Sequence, residues 1–179
     1  GLELHVAANE CFDAAALPHH RHGDVLASDG DHWSFARRLP AGVVGVISPF
    51  NFPLILSIRS VAPALALGNS VVLKPDPRTP VSGGYLIARA FEEAGLPAGV
   101  LQVLPGGADA GAALTEAPEI AVVSFTGSTS AGRKVGKACG RNLKRVHLEL
   151  GGNNALVVLP GADVAAAASA GAFGSFLHQ

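Results

Sequence analysis

The sequence of 179 residues has no methionine, only two cysteines and 6% aromatic residues. Two cysteines are too few for a disulfide scaffold and are typical of a reducing compartment. Basic and acidic side chains nearly balance, at 13 and 14, which excludes a polybasic nucleic-acid binder and a disordered acidic tail. No apolar run reaches the ~18–20 residues of a membrane span, and residues 1–20 lack the basic start of a signal peptide. We therefore expect a soluble, cytoplasmic protein with no nucleic-acid or membrane partner.

Apolar side chains are abundant. They make up 49% of the sequence, and the mean hydropathy is +0.35, so the chain can bury a core and disorder is not expected. The length suits one domain or a large piece of one. Because residue 1 is glycine and methionine is absent, we expect an internal part of a longer protein.

Short β-branched runs alternate with helical patterns after residue 40. The runs are predicted as strands at 43–47, 71–73, 100–104, 120–123, 146–148 and 155–159. Helical spacing separates most of them, at 54–67, 81–94, 108–116 and 131–138. Buried strands that alternate with helices indicate an α/β fold, a Rossmann-like open parallel sheet with helices on both faces.

The two ends of the chain show different patterns. Helical spacing predicts a helix over 2–16, and the alternation from Trp33 to Leu39 predicts an exposed strand. At the other end, Asp163 is expected to cap a last helix that runs to Gln179.

Distinctive motifs follow the ends of the predicted strands. In an open parallel sheet, ligands bind beyond the carboxyl ends of the strands. Such motifs occur there five times, at 48–53, 74–77, 105–107, 125–129 and 149–152. One junction of this kind is an ordinary turn, whereas five predict a shared edge that holds a ligand.

Gly127-Ser128-Thr129 leads directly into a predicted helix. Backbone N–H groups at a helix start can bind phosphate, and glycine allows close approach. The alternative is a simple Ser or Thr N-cap. The segment is not a dinucleotide fingerprint, since no G-x-G-x-x-G follows a strand here. It is not a P-loop either, because Arg133 and Lys134 stand where a P-loop has Lys-Ser/Thr.

Three more polar residues are candidates at this edge. Lys74 can donate to ribose hydroxyls or phosphate, although an ordinary solvated lysine fits equally well. The Asn51 amide can stabilise an oxyanion, and its alternative is a turn residue before a helix. Glu149 stands between two leucines and suits a general base in a desolvated site. A plain strand-end glutamate is its alternative.

The histidines and cysteines are not predicted to be functional. His19, His20 and His22 have no cysteine or carboxylate at ligand spacing, so no metal site is predicted. Cys11 and Cys139 lie in predicted helices without the surroundings of a nucleophile.

Taken together, five motifs resemble the NAD(P)-dependent aldehyde dehydrogenase superfamily over essentially the whole chain. They are Pro49–Pro53, Pro63–Asn69, Val72–Pro75, Phe125–Thr129 and Leu148–Gly152. Within the superfamily, Ile55–Pro63 and Lys74–Thr79 are similar to the benzaldehyde and vanillin dehydrogenase branch. The resemblance divides the chain into an N-terminal helix and extended segment (1–40), an NAD(P)-binding core (41–160) and the start of a catalytic region (161–179).

The resemblance also implies roles for individual residues. Asn51 would help to form the oxyanion hole, and Glu149 would be the general base that activates water for hydrolysis of a cysteine thioester. The residues implied in cofactor binding are Ile47, Ser48, Pro49, Phe50, Lys74, Gly106, Gly127, Ser128, Leu150 and Gly151. The implied cofactor is NAD, with NADP possible, the implied substrate is an aromatic aldehyde, and the full-length protein is expected to be a homodimer or homotetramer.

Two positions depart from the family pattern. Many NAD-preferring members carry an acidic residue three positions after the lysine, where this sequence has Pro77 beside Asp76. The catalytic cysteine is expected slightly more than thirty residues after Glu149, just past Gln179. The sequence alone therefore leaves two alternatives open, a non-enzymatic nucleotide-binding module and a CoA-acylating relative, and predicts that residues 1–179 are inactive alone.

Overall fold

A computed structural model describes residues 1–176, beginning with a helix and a hairpin. Helix α1 spans Leu2–Ala16, as predicted, and a 3-10 turn follows at Leu17–His19. Strands β1 (Gly23–Leu26) and β2 (Ser34–Arg37) form a separate antiparallel hairpin, and β2 is largely exposed. The exposed strand expected at 33–39 is thereby confirmed.

The centre of the molecule is a five-stranded sheet in which every neighbouring pair is parallel. Its strands are β3 (Val43–Ile47), β4 (Ser70–Lys74), β5 (Leu101–Val103), β6 (Ile120–Gly127) and β7 (Arg145–Leu150). Their spatial order is β5-β4-β3-β6-β7. The chain thus builds outward from β3 through β4 to β5 and then returns to place β6 on the other side of β3.

The connections between strands are helical. They are α2 (Pro53–Ala66), α3 (Leu86–Glu93), α4 (Ala108–Glu116) and α5 (Thr129–Arg141), and α6 (Val164–Phe176) follows the sheet. A proline in the first turn starts α2, where its missing N–H costs nothing. Gly68, shortly after α2, and Gly95, shortly after α3, have φ of +82° and +89°. That left-handed conformation suits glycine, as the sequence predicted.

Two apolar clusters cover the two faces of the sheet. One joins β3 and β4 to α1, α2 and α3, with Val61 and Leu73 fully buried. The other joins β6 to α4 and α5, with Val123 and Cys139 fully buried. The α/β fold with helices on both faces is therefore confirmed, and each face has its own packed core.

The structure corrects two predicted elements. Residues 155–159, expected as a sixth parallel strand, are irregular and exposed, because no strand among residues 1–176 lies beside them to accept their hydrogen bonds. The helix expected from 81 begins instead with a π-helical turn, Val81–Tyr85, before α3. Asp163 caps α6 as predicted, and its Oδ1 accepts hydrogen bonds from Ala165 and Ala166 N–H. The expected end at Gln179 lies outside the described residues.

Within residues 1–176, no helix is both long and apolar enough to cross a membrane. The same residues contain no group of three or more His, Cys, Asp or Glu side chains that could hold a metal ion.

Candidate cofactor groove and catalytic edge

A groove of about 700 Å³ opens where the strand order reverses, between the carboxyl ends of β3 and β6. Ile47 pairs with both Lys74 and Phe125, so β3, β4 and β6 reach the groove at the same level. This reversal point is where open parallel sheets bind ligands. Seven of the predicted cofactor residues line it: Ile47, Ser48, Pro49, Phe50, Lys74, Gly127 and Ser128.

The lining of the groove is rich in positive charge. Five basic side chains face two acidic ones, Asp76 and Glu116. The basic residues are Lys74, Arg78, Lys134, Lys137 and Arg141. Glu116 is already engaged with Arg141, at 3.3 Å between Oε1 and Nη2. The excess of positive charge favours an anionic ligand.

The start of α5 adds backbone donors to this charge. Ser128 is its N-cap, and its Oγ accepts a hydrogen bond from Ala131 N–H at 3.3 Å. A Cβ on Gly127 would lie 2.7 Å from the Phe125 ring, so only glycine fits here without displacing that side chain. The first N–H groups of α5 therefore stand beside the groove, where they can receive a phosphate.

Lys74 is the buried cation of the groove, with 6% of its surface exposed. Burial lowers the pKa of its ammonium group, and the charges of Asp76 and Asp109 partly oppose that shift. Within residues 1–176 its Nζ makes no hydrogen bond. A buried ammonium group with unused donors that lines a groove is suited to ligand oxygens such as ribose hydroxyls. The groove thus fits the dinucleotide that the sequence implied.

Buried hydrogen bonds between two serine hydroxyls and a backbone carbonyl anchor the loop after β3. Ser57 Oγ lies 2.7 Å from Ser48 Oγ and 2.9 Å from the carbonyl oxygen of Gly83. The Gly83 carbonyl can only accept, and the Ser57 hydroxyl is placed as the donor toward both oxygen atoms. Ser48 and Ser57 are almost fully buried. These hydrogen bonds connect the start of the loop to α2 and to the π-helical turn.

A second cavity of about 230 Å³ lies on the α2 side of β6 and β7. Ser60 and Ser124 share a hydrogen bond of 2.9 Å across it. Glu149, which pairs with Thr126, also lines this cavity but is exposed. The desolvation expected from its two leucine neighbours is therefore wrong for this chain, because those leucines point to the opposite face of β7.

The remaining predicted residues lie around the same edge without lining the groove. Asn51 is exposed in the short loop between β3 and α2. Gly107, rather than the predicted Gly106, lines the groove. Leu150 packs in the cluster under α5, and Gly151 is exposed just after β7. Their roles stay predictions.

Comparison with known proteins places the chain. The model of the aldehyde dehydrogenase family matches residues 1–179. The chain belongs to the aldehyde dehydrogenase family. It is 71% identical to a vanillin dehydrogenase of an Amycolatopsis strain and 53% identical to a benzaldehyde dehydrogenase (NAD+) of Pseudomonas putida, with 99% of the chain covered in both. It spans 37% of the length of each of these relatives.

Solved structures agree with this assignment to the aldehyde dehydrogenase family. The fold is similar to that of an NAD-dependent benzaldehyde dehydrogenase from Corynebacterium glutamicum, with a TM-score of 0.93 and 49% identity. The match covers 98% of the chain and 39% of that structure. The recognised family and fold are therefore confirmed, and the match to benzaldehyde and vanillin dehydrogenases agrees with the predicted branch.

Neither cysteine of this aldehyde dehydrogenase chain lines the groove. Cys139 is fully buried in α5, and burial raises the pKa of its thiol despite the opposing charge of Lys144. Cys11 lies in α1, where burial and the charge of Glu10 raise its thiol pKa. Raised pKa values disfavour the reactive thiolate.

Sequence reasoning missed residues that line or support the groove. It did not predict a role for Ser57, which supports the loop after β3 through contacts between segments 26 residues apart. It also did not predict the basic side chains of α5 as ligand contacts. The helical period of α5 gave a usable signal, because Lys134, Lys137 and Arg141 fall three and four positions apart on one face. No local pattern marks Ser57 as more than a helix residue.

Proposed function

We propose that this chain is the cofactor-binding part of an NAD-dependent dehydrogenase that oxidises an aromatic aldehyde to the carboxylic acid. The observation that carries the proposal is the positively charged groove at the strand-order reversal, with Lys74 buried and without a hydrogen-bond partner among residues 1–176. Similarity to vanillin and benzaldehyde dehydrogenases supports the aromatic substrate.

Each part of the groove has a separate task in this proposal. Lys74 donates to the adenosine ribose, and the N–H groups at the start of α5, with Gly127 and Ser128, hold the pyrophosphate. Ile47 to Phe50 line the channel between them. Gly106 lies toward the adenine, and Leu150 and Gly151 lie along the nicotinamide. When bound, NAD accepts the hydride of the aldehyde.

Of the two proposed catalytic groups, Asn51 lies past the end of β3 and Glu149 lies near the carboxyl end of β7. The Asn51 side-chain amide donates a hydrogen bond to the oxyanion that forms when a cysteine thiolate attacks the aldehyde carbon. Glu149 accepts a proton from the water that hydrolyses the resulting thioester. In this proposal, a segment beyond residue 179 supplies the thiolate and covers Glu149.

The test uses the full-length protein with NAD and benzaldehyde, vanillin or an aliphatic aldehyde. NADH formation is expected with the aromatic aldehydes. Glu149→Gln should give a burst of NADH followed by slow turnover, because thioester hydrolysis is slowed more than hydride transfer. Asn51→Ala should lower the rate by ~10²-fold or more, as loss of other oxyanion donors does.

Three controls separate this function from the alternatives. Residues 1–179 alone should show no turnover, while the full-length protein is active. A strict requirement for CoA would identify an acylating enzyme. Unchanged rates in both variants would contradict the catalytic assignments, and no activity in the full-length protein would favour a nucleotide-binding module.

A further inference from the structure

Arg78 is held by Asp76 through three hydrogen bonds. The guanidinium donates to Oδ1 and Oδ2 of Asp76, both at 2.8 Å, and the backbone N–H of Arg78 donates to Oδ1 at 3.0 Å. A carboxylate offers about four acceptor sites, so this one is nearly filled. The pairing lowers the pKa of Asp76 and raises that of Arg78, so both stay charged near neutral pH.

The planar face of the same guanidinium packs against an aromatic ring. Its Cζ lies 3.5 Å from the centre of the Phe50 ring, a cation–π contact. Phe50 belongs to the loop after β3 and Arg78 to the loop after β4, so the contact joins these two loops, and both residues line the groove. Exposed ion pairs contribute little as a rule, but a two-pronged arginine pair is a defined geometry. We refer to Asp76, Arg78 and Phe50 as the clasp.

The clasp lies beside Lys74. Asp76, Arg78 and Lys74 line one groove, and the Asp76 charge acts on Lys74. In the proposed function, this is where the adenosine ribose binds. A 2′-phosphate there would need a free cation, whereas a 2′-hydroxyl would gain from a free acceptor. The clasp offers neither a free cation nor a free acceptor. Asp76 neutralises the charge of Arg78, and Arg78 occupies three of the roughly four acceptor sites of Asp76.

We propose that the Asp76–Arg78 pair sets the choice between NAD and NADP, so that removing either partner shifts the preference in opposite directions. Without the Asp76 charge, Arg78 becomes a free guanidinium suited to a phosphate. Without Arg78, the Asp76 carboxylate repels the 2′-phosphate and accepts hydrogen bonds from ribose hydroxyls. Pro77, which stands between the two in the sequence, has a side chain that can do neither.

This inference rests on the proposed function, so the test measures binding separately from turnover. Dissociation constants of NAD and NADP are determined by calorimetry on the full-length protein and four variants. Asp76→Asn should lower the Kd of NADP relative to that of NAD by ~10-fold, equivalent to ~1.4 kcal/mol. Arg78→Ala should raise the same ratio several-fold. The double variant should return close to the wild-type ratio, because the local charge is again balanced.

Arg89→Ala is the matched control. Arg89 forms an exposed pair with Glu93 on α3, at 2.7 Å, outside the lining of the groove. Its loss should leave the ratio unchanged. A merely structural role for the clasp would weaken both cofactors together in Asp76→Asn and Arg78→Ala.

The outcomes separate the two proposals. If the wild-type protein binds neither cofactor, the proposed function fails and the clasp has no ligand to select. If it binds NAD but the ratio stays within twofold in both single variants, or moves in the same direction in both, the clasp proposal alone is overturned.

Discussion

The central strands and the segment after the sheet differ in how fully their apolar residues are packed. In the sheet, β3 and β4 carry Val46, Val71 and Leu73 with at most 1% of their surface exposed. After the sheet, the segment that follows β7 leaves Val157 and Leu159 exposed by 75% and 69%, and α6 has no buried residue among those described. Similar apolar sequence therefore has two different structural outcomes.

The difference shows that burial comes from partners rather than from composition. The strands β3, β4 and β6 each have a neighbour on both sides and helices on both faces. Residues 155–159 have the same kind of side chains, but in the described part of the chain no strand lies beside them. An exposed apolar surface of this kind is typical of a surface that another element covers.

The largest expected effect comes from truncating one leucine in each region, Leu73 in the sheet and Leu159 after it. Leu73→Ala in residues 1–179 should cost ~2–5 kcal/mol, because it leaves a cavity in a packed core. Leu159→Ala should change stability by no more than ~0.5 kcal/mol. Urea unfolding followed by circular dichroism measures both. Equal losses of unfolding free energy in the two variants would contradict the comparison. A larger loss for Leu159→Ala in the full-length protein than in residues 1–179 would show that another part of the full-length protein covers this leucine.

The next effect compares two helix caps. Ser128→Ala and Asp163→Ala each remove an N-cap, worth typically ~1 kcal/mol. Because α5 is packed and α6 is not, only Ser128→Ala should lower the urea midpoint of residues 1–179. Asp163→Ala should instead speed amide hydrogen exchange at Ala165 and Ala166. A lowered global midpoint for Asp163→Ala would mean that α6 is coupled to the core.

The smallest effect concerns the buried cation. Burial lowers the folded-state pKa of Lys74 below its usual 10.5. At pH values between the folded-state pKa and 10.5, Lys74 binds a proton in the unfolded chain but not in the folded chain. The free energy of unfolding of the wild-type protein therefore rises with pH in that range. Lys74→Met should therefore raise the Tm by a few degrees at most at pH 7, and the gap should narrow toward pH 10.5.

Two further observations complete the Lys74 experiment. The variant should bind NAD more weakly at every pH, because the proposed donor to the ribose is lost. Lys137→Met, a change at an exposed position of α5, is the control and should give no pH-dependent gap in Tm. A Lys74→Met protein that is less stable at pH 7 would show that Asp76 and Asp109 outweigh the cost of burial.

Local sequence was sufficient for most of the fold. The strand at 43–47 and the helix at 108–116 were predicted at their observed bounds, because hydrophobic period and glycine or proline boundaries act over a few residues. The strand predicted at 155–159 failed because a strand is defined by pairing, which is non-local. The burial expected for Glu149 failed because neighbours in sequence alternate across a strand and do not shield it.

The sequence by itself determined the family, the order of strands and helices, and the placement of the candidate residues at strand ends. These depend on motifs and periods that are contiguous in the chain. Tertiary structure alone decided that Lys74 is buried without a hydrogen bond to any described residue, and that Arg78 occupies three of the roughly four acceptor sites of Asp76. It also decided that Arg78 stacks on Phe50, 28 residues earlier in the chain. The physical reason is that the parallel crossover brings the ends of β3, β4 and β6 to one level, and distances between their loops exist only once the sheet has formed.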